Sequence, residues 1–414
     1  MQNLQKHSFN RMVFTLMVIN FTEILGFSLM MPVLPFLAKF LGLNIVQIGL
    51  LGSIFSFCQF FASPITGKLS DRYGRKPLLI ISQLSTFTGF LLLGLADSVP
   101  LLIIARVVDG LFGSNMTVIQ ATISDITEPK DRTRIYSISS GVFGAGLIIG
   151  PALGGILAEI NYSIPMYSAA AISLVSILLV IIFLPETYHG KSQSFSLKFS
   201  DIIPTKSLYK YWKNRTIRYQ IIMMISYTFG FMLFINNFTL IAIEDYSITT
   251  LYAGYYRTYI GILRVILQFL FINRLLSKFG ENRTLVSGII ALMISMILMI
   301  FSSEKWMVFI PMTFLAYGTG VARPILTSQL TKSVSKSEFA TVLGVNNSLN
   351  SLGQIITPIL GGAMLMYLGS MWIMVSSILI YVLFLISKKK RDIHINDISL
   401  KKDSIVPDTI IEQF

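Results

Sequence analysis

Residues 146–155 read GLIIGPALGG, and residues 353–362 read GQIITPILGG. Each stretch sits inside a long apolar run, although glycine and proline are the poorest helix formers. Spacing explains their presence. Glycines at i and i+4 open a flat helix face for close packing, and a proline removes one backbone hydrogen bond and bends the helix. Two further pairs fall at nearly the same separation: KLSDRYGRK from Lys68 with RLLSKFGEN from Arg274, and GSNMTVIQATISDIT from Gly113 with GVARPILTSQLTKSV from Gly320. Three echoes at one offset read as a repeat of two parallel halves. The second copy of the opening stretch carries Thr357 where the first carries Gly150. The motif is therefore complete only in the first half, and changes at Gly150 or Pro151 are expected to matter more than changes at Thr357 or Pro358.

The chain has 414 residues, 53% hydrophobic and 13% charged. Soluble domains carry about 25% charged residues, so the composition describes a polytopic membrane protein. A spanning helix needs about 20 apolar residues. Twelve such runs are predicted, at 12–37, 46–67, 77–97, 100–123, 135–158, 165–185, 217–243, 251–273, 284–302, 306–330, 338–366 and 370–387. The division that follows is a polar N-terminus (1–11), a six-helix bundle (12–185), a Lys- and Ser-rich linker (186–216), a second six-helix bundle (217–387) and a tail (388–414). The apolar run after residue 11 is longer than a signal-peptide core, so no cleaved leader is expected. The tail opens on KKKRD and reads as a membrane-proximal basic cluster followed by a mobile polar segment.

The net charge of +13 would suggest nucleic acid in a soluble protein. Here the basic residues cluster in alternate loops: 68–76, 130–134, 191–215, 274–283, 332–336 and the tail. Lys39 and Lys305 fall in the other set of loops, and Arg106, Arg257, Arg264 and Arg323 fall inside spans. That asymmetry is the positive-inside rule. It predicts both termini in the cytoplasm and accounts for the charge without nucleic acid. The lone cysteine, Cys58, and histidines only at 7, 189 and 394 leave no basis for an intramembrane metal site. Phosphate-cradle, nucleophile-elbow and zinc-hydrolase motifs are missing, so neither nucleotide use nor enzyme chemistry is expected.

Charges inside spans are costly and face a bundle interior or a wet cavity. Glu23, Arg106 with Asp109, Arg257 with Arg264, and Arg323 lie on spans 1, 4, 8 and 10, whereas spans 3, 6, 9 and 12 carry none. Parallel-repeat transporters place their substrate site between the halves, near the bilayer midplane. Glu23 lies ~16 Å into its span and Arg106 ~9 Å into its own, at 1.5 Å per residue. Asp109 follows Arg106 at i+3, on the same helix face.

These residues carry a resemblance to the major facilitator superfamily and, within it, to the twelve-span drug:proton antiporters that include tetracycline exporters. GKLSDRYGRKP (67–77) resembles the family's loop after span 2, with Gly67, Asp71, Arg72, Gly74 and Arg75 at the motif positions. RVVDGLFG (106–113) resembles its span-4 arginine motif, and NFTEILGFSLMMPVLPFL (20–37) the opening span of tetracycline exporters. Gly146, Gly150, Pro151, Gly154 and Gly155 match the span-5 antiporter motif. The resemblance implies an all-α, two-bundle carrier of the inner membrane, working as a monomer. It would exchange protons for a small organic molecule, with the proton gradient as energy source and no cofactor. Glu23, Arg106 and Asp109 would carry the proton coupling, a cation's approach favouring proton loss from Glu23. The loop motif would latch the halves on the cytoplasmic side. Gln59, Asn115, Asn236, Asn237, Arg264, Arg323, Asn346, Asn347 and Asn350 are polar at membrane depth and are candidates for substrate contact. Two rival readings stay open: export of an endogenous anionic metabolite such as a siderophore, favoured by Arg264 and Arg323, and a non-transporting receptor or scaffold.

Overall fold

The computed structural model describes residues 2–113, 115–188, 211–334 and 339–403, and every regular element among them is helical. In chain order these are α1 (Gln2–Met30), α2 (Leu34–Phe40), α3 (Ile45–Tyr73), α4 (Arg75–Gly94), α5 (Val99–Phe112), α6 (Asn115–Ile126), α7 (Pro129–Ala158), α8 (Ser163–Phe183), α9 (Arg215–Ile235), α10 (Phe238–Tyr246), α11 (Thr250–Ile266), α12 (Ile272–Ile300), α13 (Phe309–Lys332), α14 (Phe339–Tyr367) and α15 (Ser370–Asp403). Local chemistry sets several boundaries. Asn44 and Gln47 form a capping box at the start of α3. Gly74, at φ 102°, turns the chain from α3 directly into α4. The Asn214 side chain accepts from the amides of Thr216 and Ile217 and starts α9.

Ten helical stretches among the described residues are long and apolar enough to cross a membrane, where twelve spans were expected. Two details account for the difference. One stretch, Thr250–Ile300, is 51 residues long and contains the expected spans 8 and 9. Its helical length of ~76 Å is more than twice the ~30 Å hydrocarbon core. A five-residue π-helical segment (Leu267–Phe271) and a break at Gly280, φ 73°, interrupt it. The other, α13, covers the expected tenth span but is diluted by Arg323, two glycines and two prolines. Spans 4 and 7 are each two helices, broken at Gly113 and at Asn236–Asn237. The linker lies outside the described residues over 189–210, as does the tail over 404–414. Residues 2–11 extend α1, and the tail is not a loose segment up to Asp403. There α15 continues, held by a Lys388–Asp392 pair at 2.6 Å and by buried Arg391, which donates to Gln220, Gln329 and Asn282.

The helices pack as two groups. In the first, α1 lies on α7 and α8, α3 on α5, and α4 on α5 and α8; in the second, α9 lies on α14 and α15, α12 on α13 and α15, and α11 on α13. Two seams join the groups, α7 against α11 and α3 against α14. The seams are copies of one another. A Cβ added to Gly254 would overlap the Pro151 carbonyl, and one added to Gly49 would overlap the Pro358 carbonyl. Gly155 abuts Thr250 and Leu251, as Gly362 abuts Ile45 and Val46. Thr258 donates to the Ile148 carbonyl at 2.8 Å, and Ser53 to the Ile355 carbonyl at 2.7 Å. The altered second copy of the motif is thus not degenerate at the seam. Thr357, at the Gly150 position, accepts from Asn236 through its hydroxyl and from Asn237 through its carbonyl, both at 2.9 Å.

Candidate functional site

The repeat's close packing first fixes where the molecule is shut. Gly146, Gly150 and Gly154 lie against Ile24, Ser28 and Leu29 of α1, with the Ser28 hydroxyl donating to the Gly146 carbonyl at 2.8 Å. The same helix turns Pro151 and Gly155 toward α11. Beyond these glycines, Lys39 and Glu244 form an ion pair at 2.6 Å between the groups. Glu159 accepts from the Thr250 hydroxyl at 3.0 Å and the Leu251 amide at 3.3 Å, so a carboxylate of one group caps a helix of the other. A groove of about 930 Å³ lies over this closed end, bordered by Lys39, Asp97 and Glu159. Farther along the α3–α14 seam, a cavity of about 230 Å³ opens between Gln59, Ser63, Asn347 and Ser351.

Glu23 sits in the first group. Its Oε1 accepts from Asn115 Nδ2 at 2.6 Å, while its Oε2 is buried without a hydrogen-bond partner. Asn115 also donates to Thr86 Oγ1 at 3.0 Å, and the Thr86 hydroxyl serves Asp109 in turn. Asp109 accepts from Arg106 at 3.2 Å, both side chains being almost fully buried. The Arg106 guanidinium lies 5.3 Å from the centre of the Phe55 ring. The three residues named for coupling are therefore linked through Asn115 and Thr86. Thr86 has no sequence signature; it is found only because Gly89 and Gly113 let α4 approach α5 closely.

The loop motif is held by bonds of its own around Arg75. Arg75, 7% exposed, bonds Asp71 and Asp125, each at 2.6 Å, and donates to the Ser70 hydroxyl. Glu186 accepts from the backbone amides of Arg75, Thr187 and Tyr188 at 2.8–3.0 Å and of Lys76 at 3.2 Å. Burial opposes its ionisation, but these amides outweigh it and hold the carboxyl below its ordinary value. These bonds lie within the first group and do not tie it to the second. Gly67 and Arg72 lie in the last turns of α3, with the Arg72 guanidinium over the Tyr73 ring. The second group repeats the arrangement with charges reversed: Glu281, the counterpart of Arg75, pairs at 2.6 Å with Lys332, the counterpart of Asp125.

The substrate candidates separate. Asn115 belongs to the Glu23 network. Asn236 and Asn237 bond across to Thr357 and join two helices, whereas Asn350 donates back to Asn346 within α14. Gln59 donates to the Gly113 carbonyl at 3.3 Å and, with Asn347, lines the cavity. Arg264 and Arg323 have no hydrogen-bond or ion-pair partner for their guanidinium groups among the described residues.

Comparison with known proteins agrees with this architecture. The sequence matches the Major Facilitator Superfamily over residues 16–271 and 221–398. It is 29% identical over 374 residues to the class H tetracycline resistance protein of Pasteurella multocida, covering 88% of this chain and 91% of that one. It is 31% identical over 345 residues to the class G protein of Vibrio anguillarum, covering 81% and 86%. With the quinolone resistance protein NorA of Staphylococcus aureus it shares 24% identity, covering 86% and 90%. Among solved structures, the human organic anion transporter MFSD10 superposes with a TM-score of 0.67 at 20% identity, over 92% of this chain and 98% of that one. The peptide transporter POT bound to alafosfalin gives 0.76 at 13% identity, over 92% and 94%. These two show a shared fold.

The chain is a multi-pass membrane transporter, not an enzyme. It belongs to the Major Facilitator Superfamily, and its likeness to the drug:proton antiporter group extends over most of its length.

Proposed function

We propose that the protein is a proton-coupled antiporter that exports small organic molecules, drugs among them, by alternating access. In this reading the chain crosses the membrane twelve times. Thr250–Ile300 supplies two crossings and α13 the tenth, and both termini lie in the cytoplasm by the positive-inside rule. The membrane is the cytoplasmic membrane, the protein acts as a monomer, and the proton gradient is its energy source without a cofactor.

The observation that carries the reading is Glu23. It is held through one oxygen by Asn115 within a chain that reaches Asp109 and Arg106, and its other oxygen is buried and free to take a proton. The Arg106–Asp109 pair is joined to it through Thr86 and Asn115, so in this reading a change in that pair is passed on to Glu23. The paired seams supply the alternation. With the basic loops inside, the closed end is extracellular, and the loop around Arg75, whose own side-chain bonds stay within the first group, lies on the side that closes in the next state. The tetracycline and quinolone relatives support export of drugs. The test is purified protein in liposomes carrying an internal pH dye. Tetracycline or norfloxacin added under a pH gradient should drive a proton flux that protein-free liposomes lack; cargo movement without proton flux would overturn the coupling, and no movement would favour a receptor.

A further inference from the structure

We propose that Arg257, Arg264 and Arg323 form an anion-binding subsite on the wall of the second helix group, and that it takes the carboxylate, or a comparable acidic group, of the exported molecule. This deepens the export reading and rests on it for the identity of the ligand as cargo; binding itself is a separate property.

Ionisable groups in a membrane interior pair with one another or face water. The first group follows that rule, with Arg106 beside Asp109. The second does not. Arg257 and Arg264 are seven residues apart on α11, two turns along one face. The exposed side chains Tyr255, Ile262 and Ile266 mark the opposite side of that helix, while Thr258 and Gly261 lie on α7. The two guanidinium groups therefore project toward the space between the helix groups. The Arg264 stem crosses to α13, its Cγ lying 4.0 Å from the position of a Cβ on Gly320. Arg323 stands three residues after Gly320, and buried Tyr227 of α9 lies within electrostatic reach of both arginines.

Among the described residues no carboxylate forms an ion pair with any of the three. Arg257 makes one side-chain bond, to Thr239 Oγ1 at 3.2 Å, and its Nε is buried without a partner. Glu23 is occupied in the other group by Asn115. Arg264 and Arg323 are like charges within reach of one another, Arg323 being exposed to the open space, and Arg257 keeps a buried Nε with no partner, which is costly in a desolvated setting. A planar guanidinium matches a carboxylate through two parallel hydrogen bonds. A cargo carrying such a group would relieve the repulsion and satisfy the orphaned donors together. A purely cationic cargo would meet three like charges there.

The experiment uses the full chain in detergent and a dye pair that differs at this one group: rhodamine 110, whose carboxylate is free, and rhodamine 123, its methyl ester. Fluorescence anisotropy gives both affinities. The acid should bind at least about tenfold more tightly than the ester, the worth of one charge-assisted hydrogen bond. Arg264→Gln and Arg323→Gln should each cut that preference to within about twofold by weakening the acid, while the cationic ester binds no more weakly than before, and its retained binding shows that the variants are folded. Arg264→Lys, which keeps the charge and loses the fork, should fall between. Equal or tighter binding of the ester, no binding of the acid, or an acid preference that survives both glutamine variants overturns the subsite. Failure of either dye to move in liposomes under a pH gradient counts instead against the export reading, because the binding comparison needs no transport.

Discussion

Gly254 and Gly49 offer the sharpest handle on the alternation. Each is the point where one helix group meets a proline carbonyl of the other. On Gly254 a Cβ would overlap the Pro151 oxygen and lie 3.2 Å from its carbonyl carbon and 3.4 Å from Gly155 Cα; on Gly49 it would lie 2.9 Å from the Pro358 carbonyl carbon and 3.5 Å from Ile359 Cα. All of these are backbone atoms, so no rotamer change relieves the overlap. The helices must separate, and the cost falls only on the state in which this end is closed. Overpacking of this kind costs about 1–3 kcal/mol, equivalent to roughly a 5- to 150-fold shift of a two-state equilibrium. Gly254→Ala should therefore move the population toward the state open at this end. Gly49→Ala should do the same, and the double variant should move further, because the two seams are independent contacts. Spin labels on cysteines at Ile160 and Thr249, in a Cys58→Ser background, report the separation across the seam by pulsed dipolar spectroscopy. Gly52→Ala and Gly144→Ala, where a Cβ would meet nothing within 4 Å, serve as controls. Distance distributions for Gly254→Ala that match the control variants would refute the argument that this seam gates the molecule.

Other consequences can be checked with standard measurements. Lys39→Gln should shift the same equilibrium less, by about 1 kcal/mol or under, because the Lys39–Glu244 pair is 50% and 35% exposed, and added salt should shrink the difference further. Glu186→Gln should cost roughly 1 kcal/mol of thermal stability as a lost helix cap. The native carboxyl titrates below its ordinary value, so its contribution is present above about pH 4.5 and is lost as pH falls through the lowered value. The unfolding midpoints of the native protein and the variant should therefore converge in acid; a constant gap would contradict the capping role. Double-mutant cycles should give a larger coupling for Arg75–Asp125, where Arg75 is 7% exposed, than for Glu281–Lys332 at 39% and 64%, with about 1 kcal/mol as the upper range for the exposed pair. Equal couplings would show that the mirrored positions are energetically alike despite their different burial.

The repeat was legible because its parts recur at one offset, and the contacts bear it out in detail: Pro151 with Gly254 mirrors Pro358 with Gly49, and Gly74 and Gly280 both turn at positive φ. At the second copy, Thr357 replaces a glycine's closeness with two bonds from Asn236 and Asn237, a detail that the spacing alone does not give. Single-sequence spacing could not identify Gly49 and Gly254. Each is one small residue in an apolar run, and its meaning comes from a partner 100 or more residues away along the chain. Asp125 and Glu186 were missed for the same reason, lying far from Arg75 in sequence but bonded to it in space. The acidic network was half legible. Glu23, Arg106 and Asp109 announce themselves as charges inside apolar runs, whereas the residues that join them, Asn115 and Thr86, look like ordinary polar side chains until α4, α5 and α6 come together. In the tail, KKKRD shows its charge in the sequence but not its contacts; in the fold, Arg391 finds three amide partners on neighbouring helices.

The central claim is that a proton on Glu23 is exchanged for cargo. Glu23→Gln keeps the hydrogen bond to Asn115 within reach and removes the titrating oxygen. Reconstituted in liposomes with tetracycline or norfloxacin as cargo, the variant should lose pH-gradient-driven movement by a factor of at least about 100, within the range that a positioned proton-transfer group supplies. Exchange of labelled for unlabelled cargo without a gradient should persist. Gradient-driven movement at the native rate in Glu23→Gln would contradict the account.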